Sequence, residues 1–344
     1  MKTLLQKLLK HEDLTETEVM EAMNSIMDGS ATQAQIAGFL TALRFKGETV
    51  EEITGCARVM REKSEKINPG VDYCIDTCGT GGDGANTFNI STAASFIAAA
   101  GGVNVAKHGN RAMSSRSGSA DVLEALGVNI MLTPEQVGMC IEQVGIGFMF
   151  AQSFHKSMKY AAGARKELGI KTVFNILGPL TNPANAGGQV LGVFDEALTG
   201  VMASVLQNLG SERALVVHGM DGLDEISTAA LTKISELKDG KIDTYYLDAG
   251  KYALAVPSGK ELNGGDASVN AGIVRSIFSG EKGARRDIVL INAAAALYVG
   301  KQADDIAGGI KLAADLIDTG KAGKKLDELI ELAGSFGSGQ EVSA

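Results

Sequence analysis

Residues 76–92 read DTCGTGGDGANTFNIST, 93–106 AASFIAAAGGVNVA, and 107–121 KHGNRAMSSRSGSAD. The first segment is a glycine-rich turn followed by small hydroxyl and amide residues. The last sets Lys107, His108, Asn110, Arg111 and Arg116 among serines. No carboxylate lies between Asp83 and Asp121, in a chain whose formal charge is -9. Backbone N–H groups, hydroxyls and cations in an acid-free run compose an anion site, suited to a multiply phosphorylated ligand. The same stretch sets the fold. VDYCID (71–76) reads as a strand before the glycine loop, and Ser91 to Ala100 as an alanine-rich helix closed by Gly101-Gly102. VNVA (103–106) reads as a second buried strand before the basic loop. Strand, helix, strand is a crossover unit, and its repetition makes a parallel sheet with helices on its faces.

The alternation continues downstream. Ala120 to Leu126 is helical, Thr133-Pro134-Glu135-Gln136 starts another helix with Pro at its first position, and GIGFMFA (145–151) is a third strand. SFHKSMKYAAGARKELGI (153–170) reads as one helix and FNILGPLTNPANA (174–186) as irregular. QVLGVF (189–194) and ALVVHG (214–219) are further strands, and TKISEL and KIDTYYLD flank an Asp239-Gly240 hairpin turn. Helices are expected over 267–279, 287–299, 303–318 and 324–333, with a frayed tail from 334. Upstream, Leu4, Leu5, Leu8 and Leu9 form a helical stripe. Capping-box spacing then recurs at Thr15/Glu18, Ser30/Gln33 and Thr49/Glu52, and Asn68-Pro69-Gly70 closes the helical run. The expected class is α/β: a small all-helical N-terminal domain (1–68, joined by part of 155–185) and a larger α/β domain (71–344) with a mostly parallel central sheet flanked by helices.

The totals exclude several classes. A chain of 344 residues that is 45% hydrophobic and 21% charged has the composition of a folded, soluble protein with a substantial core. No apolar run approaches the ~20 residues of a membrane span, and MKTLLQKLLKHEDL is too short and polar for a signal peptide. The acidic balance argues against non-specific nucleic-acid binding. Cys56, Cys74, Cys78 and Cys140 contain no C-x-x-C pair and are expected as free thiols in a reducing cytoplasm. Gly79, Gly81 and Gly84 satisfy G-x-G-x-x-G literally. The polar ANTFN stretch separates them from the helix, however, and no acid follows about 20 residues on to hold a ribose, so a dinucleotide turn is set aside. No Gly-Lys-Ser/Thr follows either, which excludes a P-loop.

GTGGDGANTFNIST, KHGNRAMSSRSGSADVLEALG, NILGPLTNP and DGLDE, in that order and spacing, resemble anthranilate phosphoribosyltransferases over most of the chain. The resemblance implies a pentosyltransferase of tryptophan biosynthesis that joins anthranilate to 5-phosphoribosyl 1-diphosphate and releases diphosphate. It implies a homodimer with Mg2+ as cofactor, and an active site near the hinge of a helical and an α/β domain. Residue by residue, it assigns Gly79, Gly82, Asp83, Thr87, Asn89, Ile90, Ser91 and Thr92 to the phosphoribosyl-diphosphate loop. Lys107, Ser115 and Ser119 fall in a second phosphate loop. Gly79, His108, Asn110 and Arg165 surround the anthranilate, and Ser91, Asp224 and Glu225 contact the metal. The catalytic set is then Lys107, Asp224 and Glu225, with Lys107 as counter-charge to the diphosphate.

An aromatic amine already has a lone pair, so no general base is assigned; Arg165 is the cation for the acceptor carboxylate. His155 is open between a pocket and a structural role. This chain has Gln152 and Gly163 where the family often has Pro. Two rival readings are a pyrimidine nucleoside phosphorylase on the same scaffold and a non-catalytic nucleic-acid-binding relative. The KHGNRA stretch with its serine-rich loop disfavours the first, and the acidic balance and intact acidic pair disfavour the second.

Overall fold

Threonines start three of the four N-terminal helices of this computed structural model, which describes residues 1–112 and 116–337. The helices are α1 (Lys2–Leu9), α2 (Glu16–Met27), α3 (Gln33–Lys46) and α4 (Val50–Glu62). Thr15, Thr32 and Thr49 each accept the N–H three residues on, and Glu18, Gln35 and Glu52 return the bond. Each box satisfies two helix-end groups that would otherwise lack partners. The start of α3 corrects the sequence expectation by two residues. Ser30 still belongs to the end of α2, where its hydroxyl donates to the Ser25 carbonyl at 3.0 Å, so Thr32 and Gln35 form the cap.

The α/β part follows as β1 (Ile75–Gly79), α5 (Ile90–Ala100), β2 (Val105–Gly109), α6 (Ser119–Leu126), α7 (Pro134–Val144) and β3 (Ile146–Phe150). Short α8 (Ala151–Phe154), α9 (Lys159–Leu168) and α10 (Phe174–Leu177) lead to β4 (Gly188–Gly192), α11 (Leu198–Asn208) and β5 (Arg213–Gly219). The hairpin β6 (Thr232–Lys238) and β7 (Lys241–Leu247) precedes α12 (Ala267–Phe278), α13 (Ala284–Val299), α14 (Ile306–Asp318) and α15 (Lys321–Ser335). The 7-stranded sheet has the order β3-β2-β1-β4-β5-β6-β7. Its first five strands are parallel and β6 and β7 run antiparallel, giving the mostly parallel sheet that was expected.

Several boundaries move. β1 and β2 begin and end later than VDYCID and VNVA suggest: β4 pairs with β1 from Ile75 to Gly79, and β3 pairs with β2 from Val105 to Gly109. The helix expected over 153–170 breaks at His155, whose φ of -116° and ψ of 58° leave the helical region. The helical stretch 324–333 is longer, continuing to Ser335, and the remainder of the expected frayed tail from 338 lies outside the described residues.

One hydrophobic cluster joins β1–β3 to α5, α7, α12, α13, α14 and α15. A second joins α1–α4 to Ala161 and Ala164 of α9, the 173–180 segment, α11 and residues of β4 and β5. Gln33 of α3 adds a polar link to α9. Its Oε1 accepts from Ala164 N–H at 2.9 Å and its Nε2 donates to the Tyr160 carbonyl at 3.0 Å. These two groups are i,i+4 helix partners, so the glutamine amide is inserted into the helical ladder. Gly163 is where the backbone makes room, since a methyl there would stand 3.0 Å from Gln33 Oε1.

Candidate active site

From β1 the chain crosses to β2 and β3 on one side, and it later returns as β4 on the other. The gap between the carboxyl ends of β1 and β4 is therefore the topological switch point, where open α/β sheets bind ligands. Gly79 and Gly192 end these strands side by side. Both must be glycine, because an added methyl would collide with the side chain of Asp224 at Gly79 and with the Asp224 backbone at Gly192. The loop after β5 thus lies directly on the strand ends. Asp224 Oδ2 accepts the Gly81 N–H at 2.8 Å, and Glu225 Oε1 accepts the Ser91 N–H of the first turn of α5 at 3.1 Å. Asn292 of α13 clamps the next residue on both sides: its Oδ1 accepts from Ile226 N–H at 2.9 Å and its Nδ2 donates to the Ile226 carbonyl at 3.0 Å.

Two acids from residues 224–225 therefore meet the glycine loop 143 and 134 residues earlier. Their carboxyls are held well above the ordinary carboxylate range. For Asp224 the causes are burial and then the charge of Asp83; for Glu225 they are burial and then Asp224, opposed by Lys107. Asp83 Oδ1 accepts from Ala85 N–H at 3.1 Å, while its buried Oδ2 has no partner. Thr92 Oγ1, at the start of α5, is likewise buried and unpartnered. Three crowded carboxylates, a free hydroxyl and a helix N-terminus describe a site short of a cation and an anion together.

Lys107 is buried in β2, with its ammonium donating to the Thr77 carbonyl at 2.5 Å. Burial pushes its pKa down, while Asp76, Cys78 and Glu225 support its charge. Its charge and that of Glu225 are close enough to favour each other's ionised forms. On the opposite face of β1, buried Asp76 accepts from His108 N–H at 3.2 Å and from Asn182 Nδ2 at 2.8 Å. Asn182 also donates to the Ala106 carbonyl at 2.8 Å, so the NILGPLTNP segment bridges β1 and β2.

The expected acceptor residues are spread over the end of β1 (Gly79), the end of β2 (His108), the residue after β2 (Asn110) and α9 (Arg165). The rings of His108 and His155 stand 5.0 Å apart, and each has a buried Nε2 without a partner. Burial lowers both, His108 to about 3 and His155 to about 4, with His155 adding to the effect on His108 and Lys66 to that on His155. Gln152 turns its amide toward Asn110 Oδ1, at 3.4 Å, and Ser119 Oγ donates to the Asn110 carbonyl at 3.4 Å. Arg165 lies over the Phe174 ring at 5.0 Å and, among the described residues, has no carboxylate partner. Arg111 is spent locally, paired with Asp121 at 3.0 Å and with Glu124. Thr87 forms a bridge to Asn263, and Ile90 is buried in the first turn of α5. Ser115 lies outside the described residues.

Sequence reasoning missed four side chains here. Asn292 and Asn270 are single amides in otherwise apolar helical runs, INAAAAL and ASVNAGIV, and that pattern is their signal. Asn182 sits in a motif already singled out. Lys171 has no sequence signal. Its ammonium lies 3.8 Å from the centre of the Phe194 ring and 3.7 Å from where a methyl on Gly82 would stand. Phe194 is itself tied to the loop, its N–H donating to Thr80 Oγ1 at 3.1 Å. A larger concavity of about 330 Å³, lined by Tyr245, Tyr246, Tyr252 and Tyr298, shares no residue with this site.

Two family descriptions match the chain: the glycosyl transferase family helical bundle domain over residues 2–64 and the glycosyl transferase family a/b domain over 72–323. Fold and site thus define a glycosyltransferase built from a helical bundle and an α/β sheet. The chain is 63% identical to an anthranilate phosphoribosyltransferase of Acetivibrio thermocellus, over 100% of this chain and 99% of that protein. It is 59% identical to one of Alkaliphilus metalliredigens, over 97% and 98%. Among solved structures, anthranilate phosphoribosyltransferase from Thermus thermophilus superposes with a TM-score of 0.90 at 42% identity, covering 96% of this chain and 98% of that one. The Saccharomyces cerevisiae enzyme in complex with PRPP and Mg gives 0.87 at 28% identity, covering 96% and 97%. The chain belongs to the anthranilate phosphoribosyltransferase family.

Proposed function

We propose that the switch-point site transfers the 5-phosphoribosyl group from 5-phosphoribosyl 1-diphosphate to the amine of anthranilate, with release of diphosphate, in tryptophan biosynthesis. The observation that carries the residue assignment is the meeting of Asp224 and Glu225 with the N–H groups of Gly81 and Ser91. The donor lies along Gly79, Gly82, Asp83, Thr87, Asn89, Ile90, Ser91 and Thr92, closed by Lys107, Ser115 and Ser119. Its phosphate oxygens take the Thr92 N–H at the start of α5 and the unpartnered Thr92 hydroxyl.

The donor set at the acids suits Mg2+. Asp83, Asp224 and Glu225 are hard oxygen donors short of positive charge, while the described residues contain no group of three His, Cys, Asp or Glu placed to hold a metal unaided. Asp224, Glu225 and Ser91 would hold the ion, with water and diphosphate oxygens completing it. When bound, Mg2+ supplies positive charge to the leaving diphosphate. The charge of Lys107 favours the ionised form of Glu225. Lys171, riding on Phe194, offers the exposed ammonium nearest to Gly82.

Loss of diphosphate leaves an oxocarbenium-like centre, and the protein's task is to neutralise the leaving group and align the amine. His108, Asn110 and Gly79 bound the acceptor, and Arg165, unpaired and half-buried, faces its carboxylate. The lobe of residues 1–68 with 155–185 closes over the site from the other side. Exposed Leu9 and Phe45, on α1 and at the end of α3, offer an apolar face for the second copy of a homodimer. The free cysteines fit a reducing, cytoplasmic setting.

Anthranilate fluorescence should disappear when 5-phosphoribosyl 1-diphosphate and Mg2+ are added together and persist when either is omitted. Persistence with both present sinks the reading.

A further inference from the structure

Asn89 is the N-cap residue of α5, and asparagine is among the best capping residues, yet its side chain makes no capping bond. The carboxamide is held between two other partners instead. Its Oδ1 accepts from Asn270 Nδ2 at 2.9 Å, and its Nδ2 donates to the Ser117 carbonyl at 3.2 Å. Asn270 comes from the first turn of α12 and is only 1% exposed. Its own Oδ1 accepts the Gly265 N–H at 2.8 Å. The segment it anchors runs against the donor loop, with Gly264 N–H donating to the Asn86 carbonyl at 2.9 Å and Phe88 N–H to the Leu262 carbonyl at 3.2 Å. Gly264 has no room for a side chain, since a methyl would lie 2.6 Å from Asn270 Oδ1 and 2.8 Å from Phe88 Cα. Meanwhile Thr92 Oγ1, a few atoms away along α5, is buried without a partner.

We propose that Asn270 is a positioning residue that keeps the start of α5 open for the donor. By engaging the Asn89 carboxamide oxygen, it prevents that oxygen from capping the helix at its third residue, and the Thr92 N–H and hydroxyl stay available to phosphate oxygens; the Ser91 N–H is already taken by Glu225 Oε1. A released Asn89 would turn inward, cap α5 and compete with the substrate for the Thr92 N–H. The proposal rests on the donor-site reading above and names the residue that enforces it. Asn270 touches no substrate and acts through Asn89.

The test compares the wild-type protein with Asn270→Ala and Asn270→Ser. Serine is too short to reach Asn89 but keeps a hydroxyl for the Gly265 N–H. Both variants should raise the KM for 5-phosphoribosyl 1-diphosphate about five- to tenfold, the loss set by a competing cap of ~1–1.4 kcal/mol. The anthranilate KM should be unchanged and kcat within about twofold. A crystal structure of the serine variant should show Asn89 Oδ1 on the Thr92 N–H. A wild-type donor KM in a folded Asn270→Ser protein overturns the proposal. So does a loss in which both KM values rise and kcat falls together with thermal stability, the mark of a merely structural residue. If the wild-type protein turns over no anthranilate, the transferase reading fails by itself. Calorimetric titration of donor with Mg2+ into wild type and Asn270→Ser then still decides the role of Asn270, equal affinities counting against it.

Discussion

At the scale of single residues, the site is built from groups kept away from their ordinary state. Asp224 and Glu225 have raised carboxyl pKa values, so between the usual carboxylate range and those raised values the folded protein binds more protons than the unfolded chain. Their contribution to stability therefore falls as pH rises through that window. Replacing Asp224→Asn together with Glu225→Gln should raise the melting temperature of the ligand-free protein at pH 8. Turnover should fall by at least about 100-fold at every Mg2+ concentration, by loss of charge complementarity at the leaving group. Near-wild-type turnover would remove the pair from the metal site. Arg165→Ala should raise the anthranilate KM about tenfold or more, the scale of a lost charge-assisted contact, while moving the donor KM less than twofold. Equal shifts in steady-state kinetics would take Arg165 out of the acceptor pocket.

At the scale of elements, two strand ends and one loop decide the geometry. Gly192 on β4 touches the backbone of Asp224, and nothing larger than glycine fits there. Gly192→Ala should cost at least ~2 kcal/mol in denaturant unfolding, by overpacking, and remove activity by displacing Asp224. Gly200 in α11 is the control. The nearest atom to an added methyl is 4.0 Å away, so Gly200→Ala should leave activity intact and stabilise by ~0.4–1 kcal/mol. A comparable loss in both variants would mean that an added methyl is harmful wherever it is placed, and that the Asp224 contact does not set the requirement. The broken α8–α9 region is the second telling element. His155 leaves the helix to meet His108, and Gln33 enters the ladder of α9, so a stretch that reads as one helix is shaped by partners on β2 and α3.

At the scale of the whole molecule, the His108–His155 pair joins β2 to the segment that leads into the helical lobe. Both imidazoles are held neutral by burial, at about 3 and about 4 against an ordinary value of 6.5. The unfolded chain therefore binds more protons than the folded one between these limits, and stability is lost as pH falls from about 6.5 toward 4. His155→Phe should flatten that slope in a pH series of thermal melts relative to the wild type. An unchanged slope would show that other groups dominate the acid limb.

The sequence by itself determined the class of fold and the order of nearly all elements, and it singled out the two loops proposed to hold phosphate, because these follow from local patterns. Capping threonines, apolar periodicity, glycine punctuation and an acid-free run act within a few residues of one another. It also carried DGLDE and NILGPLTNP as motifs of a known family. Only the tertiary structure decided what those motifs touch. Sheet order brought Gly79 beside Gly192 and laid Asp224 across both. Burial turned Asn182 into a bridge and Asn292 into a clamp, and it set the Lys107 ammonium on the Thr77 carbonyl. It also drew the side chain of Asn89 away from the helix that it begins, toward Asn270 in α12. A side chain's bond depends on what lies within about 3 Å of it, and for these residues that neighbour is set by a crossover between distant parts of the chain.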